Sequence, residues 1–342
     1  MIKEWERKKT FLEIARFQST GIVPGRVVIL GSIWDENPEY SEKLRERTLN
    51  VQISIDRNPQ REKENFYKDK WGCLWHYPGR YLDGQVVEHP LDSWSKFREF
   101  RLPDPDGYID WQAAKERIDR VKREGRVAFG SMEHGFLYLR LEYLRGFENF
   151  IIDVAEKRKE LKELISLITS FWCEMVKRWL SLGVDGISFG DDLGHQRSLP
   201  ISPRDWRALI KPAYTQIFSL CREKGIEVYL HTDGYIVEII RDLIECGVTI
   251  LNPQDLVNGL DNLERLAKSK VCIDLDIDRQ KITAFGKPED IRQHIQRCVQ
   301  KLGSPQGGLM LLFGAYPGTP KENICAVVEA MEKYYDWWLY HR

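Results

Sequence analysis

The sequence predicts a single α/β domain over residues 1–342, a (β/α)8 TIM barrel, on three observations. Eight short apolar runs are spread along the chain. From about residue 184 onward, each run leads into a polar or glycine-containing turn and then a segment of helical periodicity, as parallel βα units require. No GxGxxG motif follows any of the runs, which argues against a doubly wound dinucleotide-binding sheet.

The expected strands are residues 27–30, 51–55, 127–129, 184–189, 227–231, 248–251, 271–275 and 309–313. Between them, residues 161–180 set Leu161, Leu164, Ile165, Ile168, Phe171, Trp172, Met175, Val176 and Trp179 on one helical stripe. Ser202-Pro203 reads as an N-cap followed by proline at the first helical position, with Gly225 as the stop. Thr319-Pro320 repeats that start before Ile324, Val327, Val328 and Met331. The mixed charge run at 156–160 reads as a solvated helix face.

Residues 57–110 break the repeat. They are rich in Trp, Tyr, Gly and Pro and close with Leu102-Pro103-Asp104-Pro105-Asp106. Such a segment is expected as a lid, an N-terminal excursion over the C-terminal face of the strands.

Composition excludes several classes. Fifty-one Lys and Arg against 52 Asp and Glu leave a net charge of −1, with no basic stripe for a nucleic acid. The seven cysteines are scattered and contain no CxxC pair, which excludes a zinc ribbon and points to a reducing compartment. The charged N-terminus does not resemble a signal peptide, and no apolar stretch reaches the roughly 18 residues of a membrane helix. A soluble, cytoplasmic protein is expected, with no nucleic-acid or membrane partner.

Three strand ends carry clustered polar side chains. In Gly190-Asp191-Asp192-Leu193-Gly194-His195 the two carboxylates alternate in direction, so at most one enters the site while the other can cap the next segment. In His231-Thr232-Asp233-Gly234, residues two apart share a strand face and can converge on a metal ion or a substrate oxygen. Glu133-His134 offers an acid and an imidazole at a third strand end. Asp274 and Asp276 share a face and either add a carboxylate or pair with Arg279.

The middle and C-terminal segments resemble the uroporphyrinogen decarboxylase superfamily. The resemblance rests on Leu144-Arg145-Gly146-Phe147-Glu148, Gly190-Asp191-Asp192-Leu193-Gly194, Ile201-Ser202-Pro203, Lys211-Pro212-Ala213-Tyr214 and Leu230-His231-Thr232-Asp233-Gly234. It continues through Leu251-Asn252-Pro253, Gly286-Lys287-Pro288-Glu289-Asp290 and Thr319-Pro320-Lys321-Glu322-Asn323. The superfamily implies a (β/α)8 barrel with its site at the strand C-termini, and it contains decarboxylases and corrinoid-dependent methyltransferases.

Departures from each pattern guide the choice. The decarboxylases hold an acidic tetrapyrrole with an arginine-rich loop resembling RQAGRY, whereas residues 31–40 here contain no arginine, and Gly79-Arg80-Tyr81 lies too far along. They also place a histidine where this chain reads Phe313-Gly314-Ala315-Tyr316. Without those cations, a substrate with many carboxylates loses hydration uncompensated. The methyltransferases bind zinc through an HxC pair and a later cysteine; here the pair reads His231-Thr232-Asp233, and Ala315 or Tyr316 stands at the later position. Exchanging thiolate for carboxylate shifts the site toward harder metals.

The resemblance therefore implies a methyltransferase that moves a methyl group between a small methylated substrate and a corrinoid cofactor or corrinoid protein, with O-demethylation of a methyl ether as the fitting case. His231, Asp233 and Asp191 are the expected catalytic residues. His231, Asp233 and Glu133 are the expected ligands of a divalent metal, zinc among the candidates. Trp71, Trp75, Tyr77, Tyr81, Asp192 and Tyr316 form the expected substrate wall. A homodimer is allowed. Uroporphyrinogen-type decarboxylation is the alternative, and a non-catalytic barrel that docks a partner is the second.

Overall fold

The computed structural model describes residues 2–18, 21–58, 61–79 and 82–341. Among these, eleven strands run in chain order as β1 (Gly25–Leu30), β2 (Gln52–Asp56), β3 (Glu64–Lys68), β4 (Leu74–Pro78), β5 (Gln85–Glu88) and β6 (Phe129–His134). They continue as β7 (Gly186–Gly190), β8 (Glu227–Thr232), β9 (Ile250–Pro253), β10 (Cys272–Asp276) and β11 (Leu309–Ala315). Seven of the eight expected runs overlap parallel strands over two or more residues and the run at 127–129 meets β6 only at Phe129; with helices between the strands, the fold class is the predicted (β/α)8 TIM barrel. The chain folds as two compact units: Met1–Asn58 with Gly125–Val127 and Thr249–Arg342, and Pro59–Glu124 with Ala128–Val248.

The first unit holds parallel strands in the order β2-β1-β11-β10-β9, with Val27 in register with both Ile53 and Phe313. Every residue of β9 and β10 is buried. Strands covered on both faces read as continuous apolar runs rather than alternating ones, which is why they stood out in the sequence. Helices Pro288–Leu302 and Lys321–Tyr334 pack against each other. Asn323, 1% exposed, donates to the carbonyls of Thr283 and Gly286 at 2.9 Å each and pins the short helix Ile282–Phe285. The helix starts at Lys321 with Pro320 as its cap residue, one position later than the Ser202-type start implied.

The second unit holds β6-β7-β8 in parallel, and the register brings Gly190 opposite both His134 and His231. Behind them, helix Lys159–Ser181 buries the whole predicted stripe from Leu161 to Trp179. The helix expected from 202 to 225 divides into Pro203–Leu209 and Lys211–Glu223. Pro212 has no N–H to continue the ladder, so the chain restarts with proline in the first turn. Ser202 does cap its helix, accepting from the Asp205 amide at 3.1 Å. Residues 156–159 of the charge run are exposed as expected, but 156–158 form the turn between helices Phe147–Ala155 and Lys159–Ser181, with Lys157 at φ 55°, and Lys159 and Glu160 open the second helix.

The excursion lies in this unit and contains a three-stranded antiparallel sheet, β3-β4-β5. Trp71, 2% exposed, anchors it against Phe171 and Trp172, with ring centroids at 5.0 and 5.8 Å. Arg145, expected as part of a family motif, is buried in an ion pair with Asp153 at 2.7 Å, and its guanidinium lies 4.1 Å from the Trp94 ring centre. The described helices include none long and apolar enough to cross a membrane.

Trp172 is fully buried, contacts Trp71, Tyr108, Phe136 and Phe171, and donates its indole N–H to the Phe136 carbonyl. Trp172→Ala leaves a cavity and an unpaired carbonyl, and is expected to lower unfolding free energy by about 4 kcal/mol. Urea denaturation checks this, and a loss under about 1 kcal/mol would show that the excursion does not depend on this ring.

Candidate functional site

The site is built where β6, β7 and β8 end. His134 closes β6, Asp191 and Asp192 follow β7, His231 lies in the last two residues of β8, and Asp233 comes just after it. Asp192 is the centre. Its Oδ2 is 3.2 Å from Nε2 of His134, and its Oδ1 is 3.8 Å from Nε2 of His231. Oδ1 also accepts the Asp233 amide at 3.0 Å, and Oδ1 of Asp233 lies 3.6 Å from Nε2 of His231. The two imidazole centroids are 5.6 Å apart.

The electrostatics follow from this arrangement. Burial alone pulls the His134 imidazole down, but the hydrogen bond and charge of Asp192, with Asp191 and Asp233 nearby, raise it above the ordinary 6.5. Burial pushes Asp192 up, yet the hydrogen bond from His134 and the charges of both histidines hold it well below the usual carboxylate range. Each group thus favours the charged form of the other.

Asp191 has a different place. It is 0% exposed, and its carboxylate accepts the amides of Leu137, Tyr138 and Leu139 at 3.3, 2.5 and 2.8 Å and the Tyr214 hydroxyl at 2.8 Å. It closes the N-terminus of helix Tyr138–Arg145, where free amides and the helix dipole favour an anion. Burial pushes it up to about 6, against the pull of those donors. The expected alternation of the two aspartates therefore holds in direction, but it is Asp192, expected in the substrate wall, that meets the histidines, while Asp191, expected to be catalytic, holds the scaffold.

Glu133, expected as a metal ligand, points elsewhere. Its Oε1 pairs with the buried Arg140 guanidinium at 2.6 Å and its Oε2 accepts the Tyr108 hydroxyl. Arg140 also binds Asp69 at 3.0 Å, and Asp69 accepts from the Trp71 and Cys73 amides and the Trp75 indole. Burial raises Glu133 above its ordinary value despite Arg140. Its neighbour His134 faces Asp192 and His231 instead, because β6 carries one extra residue between Ser131 and His134 relative to β7.

Of the expected substrate wall, Trp71 donates its indole N–H to the Tyr108 hydroxyl at 2.8 Å and is packed into the core of the unit. Trp75 stacks on Tyr77 at 6.1 Å and meets Tyr143 edge-on at 4.8 Å, both rings being half-buried. Tyr81 lies outside the described residues. Tyr316 belongs to the first unit, following β11, where its hydroxyl accepts from Arg279 at 3.3 Å. Asp276 pairs with the same Arg279 at 3.3 Å.

Two residues escaped the sequence reading. Tyr214 lay within the Lys211-Pro212-Ala213-Tyr214 motif without an assigned role, and its contact with Asp191 supplies one. Glu142, on helix Tyr138–Arg145, had no signal at all; burial pushes it up to about 7, with Asp191 and Asp192 adding to the rise. The loops after β7 and β8 are held together by Gly194 N–H to Asp233 O at 3.2 Å and Tyr235 N–H to His195 O at 2.7 Å. Gly234 sits at φ 83°, and a Cβ there would stand 1.9 Å from the Gly194 oxygen, so only glycine fits.

One nitrogen or oxygen from each of His134, Asp192 and His231 lies within 4.8 Å of the others. Two imidazoles and one carboxylate suit a divalent cation with open positions, and no thiolate is among them.

Three outcomes are expected. In metal-free protein, the His134 imidazole titrates above 6.5 by NMR and falls in Asp192→Asn; a midpoint unmoved by that change would dissociate the pair. Because the folded value is raised, the stabilisation from this pair is complete below about 6.5 and fades as pH rises through the elevated midpoint. Arg140→Ala strands Glu133 and Asp69 and should cost about 3–5 kcal/mol, with early proteolysis in residues 61–110; native-like resistance would contradict the role given to Arg140.

The comparisons with known proteins agree with this architecture. The family model for uroporphyrinogen decarboxylase (URO-D) matches residues 77–334. A uroporphyrinogen decarboxylase of Prochlorococcus marinus (strain NATL2A) is 27% identical over 315 residues, covering 86% of each chain. One from strain NATL1A is 27% identical over 174 residues, so the chain spans about half of that relative, 47% of its length. Among solved structures, a methyltransferase from Methanosarcina mazei aligns over 96% of this chain and 99% of its own at a TM-score of 0.64 and 15% identity, a likeness of fold. With three-quarters of its length under the family model, the chain belongs to the uroporphyrinogen decarboxylase family.

Proposed function

We propose that the protein is a methyltransferase of this family that moves a methyl group from a small methylated donor to a corrinoid, carried as a cofactor or on a corrinoid protein. The observation that supports it is the His134–Asp192–His231 group: two imidazoles around one carboxylate, with no thiol and no arginine within it. Family membership supports an enzyme, and the fold shared with a methyltransferase fits the branch.

A methyl ether is the donor that this chemistry fits. A corrinoid, when bound, would supply the cobalt(I) nucleophile that takes the methyl group, and the ether carbon–oxygen bond would break with its electron pair going to oxygen. The departing oxygen must be neutralised, since an unassisted alkoxide or phenolate leaves poorly. His134, whose charged form Asp192 favours, is the acid that supplies the proton to that oxygen, and Asp192 stabilises the imidazolium before transfer. Asp233 and Asp192 orient His231, whose Nε2 faces both carboxylates. A divalent cation held by His134, Asp192 and His231 would instead polarise that oxygen as a Lewis acid. The half-buried Trp75 and Tyr77 offer an apolar face for the rest of the donor.

A decarboxylase is the second reading, favoured by the curated relatives, all of which carry that name among those compared. Its substrate carboxylates would need cations that the His134–Asp192–His231 group supplies only through its histidines.

Incubation of the purified protein with cob(I)alamin and a panel of methyl ethers and methyl thiols decides between them. Methylcobalamin formed from an ether, and reduced roughly 100-fold or more in His231→Ala, is the expected result. No transfer from any donor, together with carbon dioxide release from uroporphyrinogen, would overturn it.

A further inference from the structure

A second group of metal-binding side chains lies in the first unit, and the reaction above does not use it. Asp255 opens the short helix Asp255–Asn258 two residues after β9. His294 and Cys298 sit one turn apart on helix Pro288–Leu302 and so share a face. Nε2 of His294 is 2.6 Å from Oδ2 of Asp255 and 3.5 Å from Sγ of Cys298. One donor atom from each residue lies within 4.8 Å of the other two. Asp255 and His294 are 1% exposed, and Cys298 is 0% exposed.

Two features set this group apart from a simple buried acid–imidazole pair. One proton between Nε2 and Oδ2 would satisfy such a pair, yet helical spacing also delivers a sulfur to the same nitrogen. The charge count is the other. Once binding has displaced the thiol proton, a carboxylate, a thiolate and a neutral imidazole carry −2 together, which a divalent cation neutralises in an interior where unpaired charge is costly. Nitrogen, oxygen and sulfur donors together are the set that zinc accepts, in tetrahedral sites with bonds of about 2.0–2.3 Å. Asp255 also lines a small cavity with Gln254, Asp276, Asp278 and Arg279.

We propose that Asp255, His294 and Cys298 form a zinc site that braces the loop after β9 against helix Pro288–Leu302. Binding displaces the proton between His294 and Asp255 and the thiol proton of Cys298, and no electron is transferred.

Cobalt(II) added to the reduced, metal-stripped, full-length protein is the probe. A bound thiolate produces a sulfur-to-cobalt charge-transfer band in the near ultraviolet, to which the His134–Asp192–His231 group, lacking sulfur, is silent. The expected result is one equivalent of this band, displaced by zinc and lost in Cys298→Ser, whose cobalt affinity at this site falls roughly 100-fold or more. Zinc should also raise the Tm of the wild type more than that of His294→Gln. Absence of the band in the wild type overturns the proposal without any variant. A band that survives in Cys298→Ser overturns it as well, because it then belongs to another cysteine.

Discussion

The carboxylate of Asp191 is the interaction on which the site depends. It is wholly buried and takes donors from three consecutive amides of the segment after β6 and from Tyr214 on helix Lys211–Glu223. Two pieces of chain are thereby tied to the end of β7. With Asp191 committed inward, backbone alternation turns Asp192 the other way, toward His134 and His231. Hydrogen bonds to an ionised acceptor are among the stronger ones in a protein, and this cluster of them offsets much of the cost of burying the charge. The adjacent acids thus divide their work, one holding the scaffold and the other holding the imidazoles.

The same division explains the family motifs. Asp191 of Gly190-Asp191-Asp192, Tyr214 of Lys211-Pro212-Ala213-Tyr214 and the His231 segment meet within one unit, although 40 residues separate the first from the last. Asp191 N–H donates to the His231 carbonyl at 3.0 Å, which links the scaffold to the β8 end directly. In the other unit, Asn323 and Asp290 tie loops and cap a helix. Asp191, Tyr214, Asp290 and Asn323 of the motifs therefore serve geometry.

How much was legible follows from local rules. His231 and Asp233 could be paired from sequence because strand period two acts without a bulge at that end. The choice between Glu133 and His134 could not be made, because an extra residue in β6 reverses the faces and nothing in Ser131-Met132-Glu133 signals it. Which of Asp191 and Asp192 faces inward depends on whether the strand ends at Gly190, a boundary that sequence patterns place only approximately. The strands were readable from short apolar runs such as Val27-Val28-Ile29-Leu30 and Leu309-Met310-Leu311-Leu312-Phe313, which are buried or half-buried throughout. The excursion was readable only as a departure from the repeat, since its Arg140–Asp69–Glu133 anchor joins residues as far as 71 apart.

The division of labour between the two adjacent aspartates is open to a direct measurement: urea unfolding and divalent-metal affinity of Asp191→Asn and Asp192→Asn, side by side with the wild type. Asp191→Asn should lose about 3 kcal/mol of stability, because an amide presents a donor to the backbone N–H groups that the carboxylate accepts. Asp192→Asn should stay within about 1 kcal/mol of the wild type while losing metal affinity roughly 100-fold. A stable Asp191→Asn beside an unfolded Asp192→Asn, or unchanged metal binding in Asp192→Asn, would contradict the account.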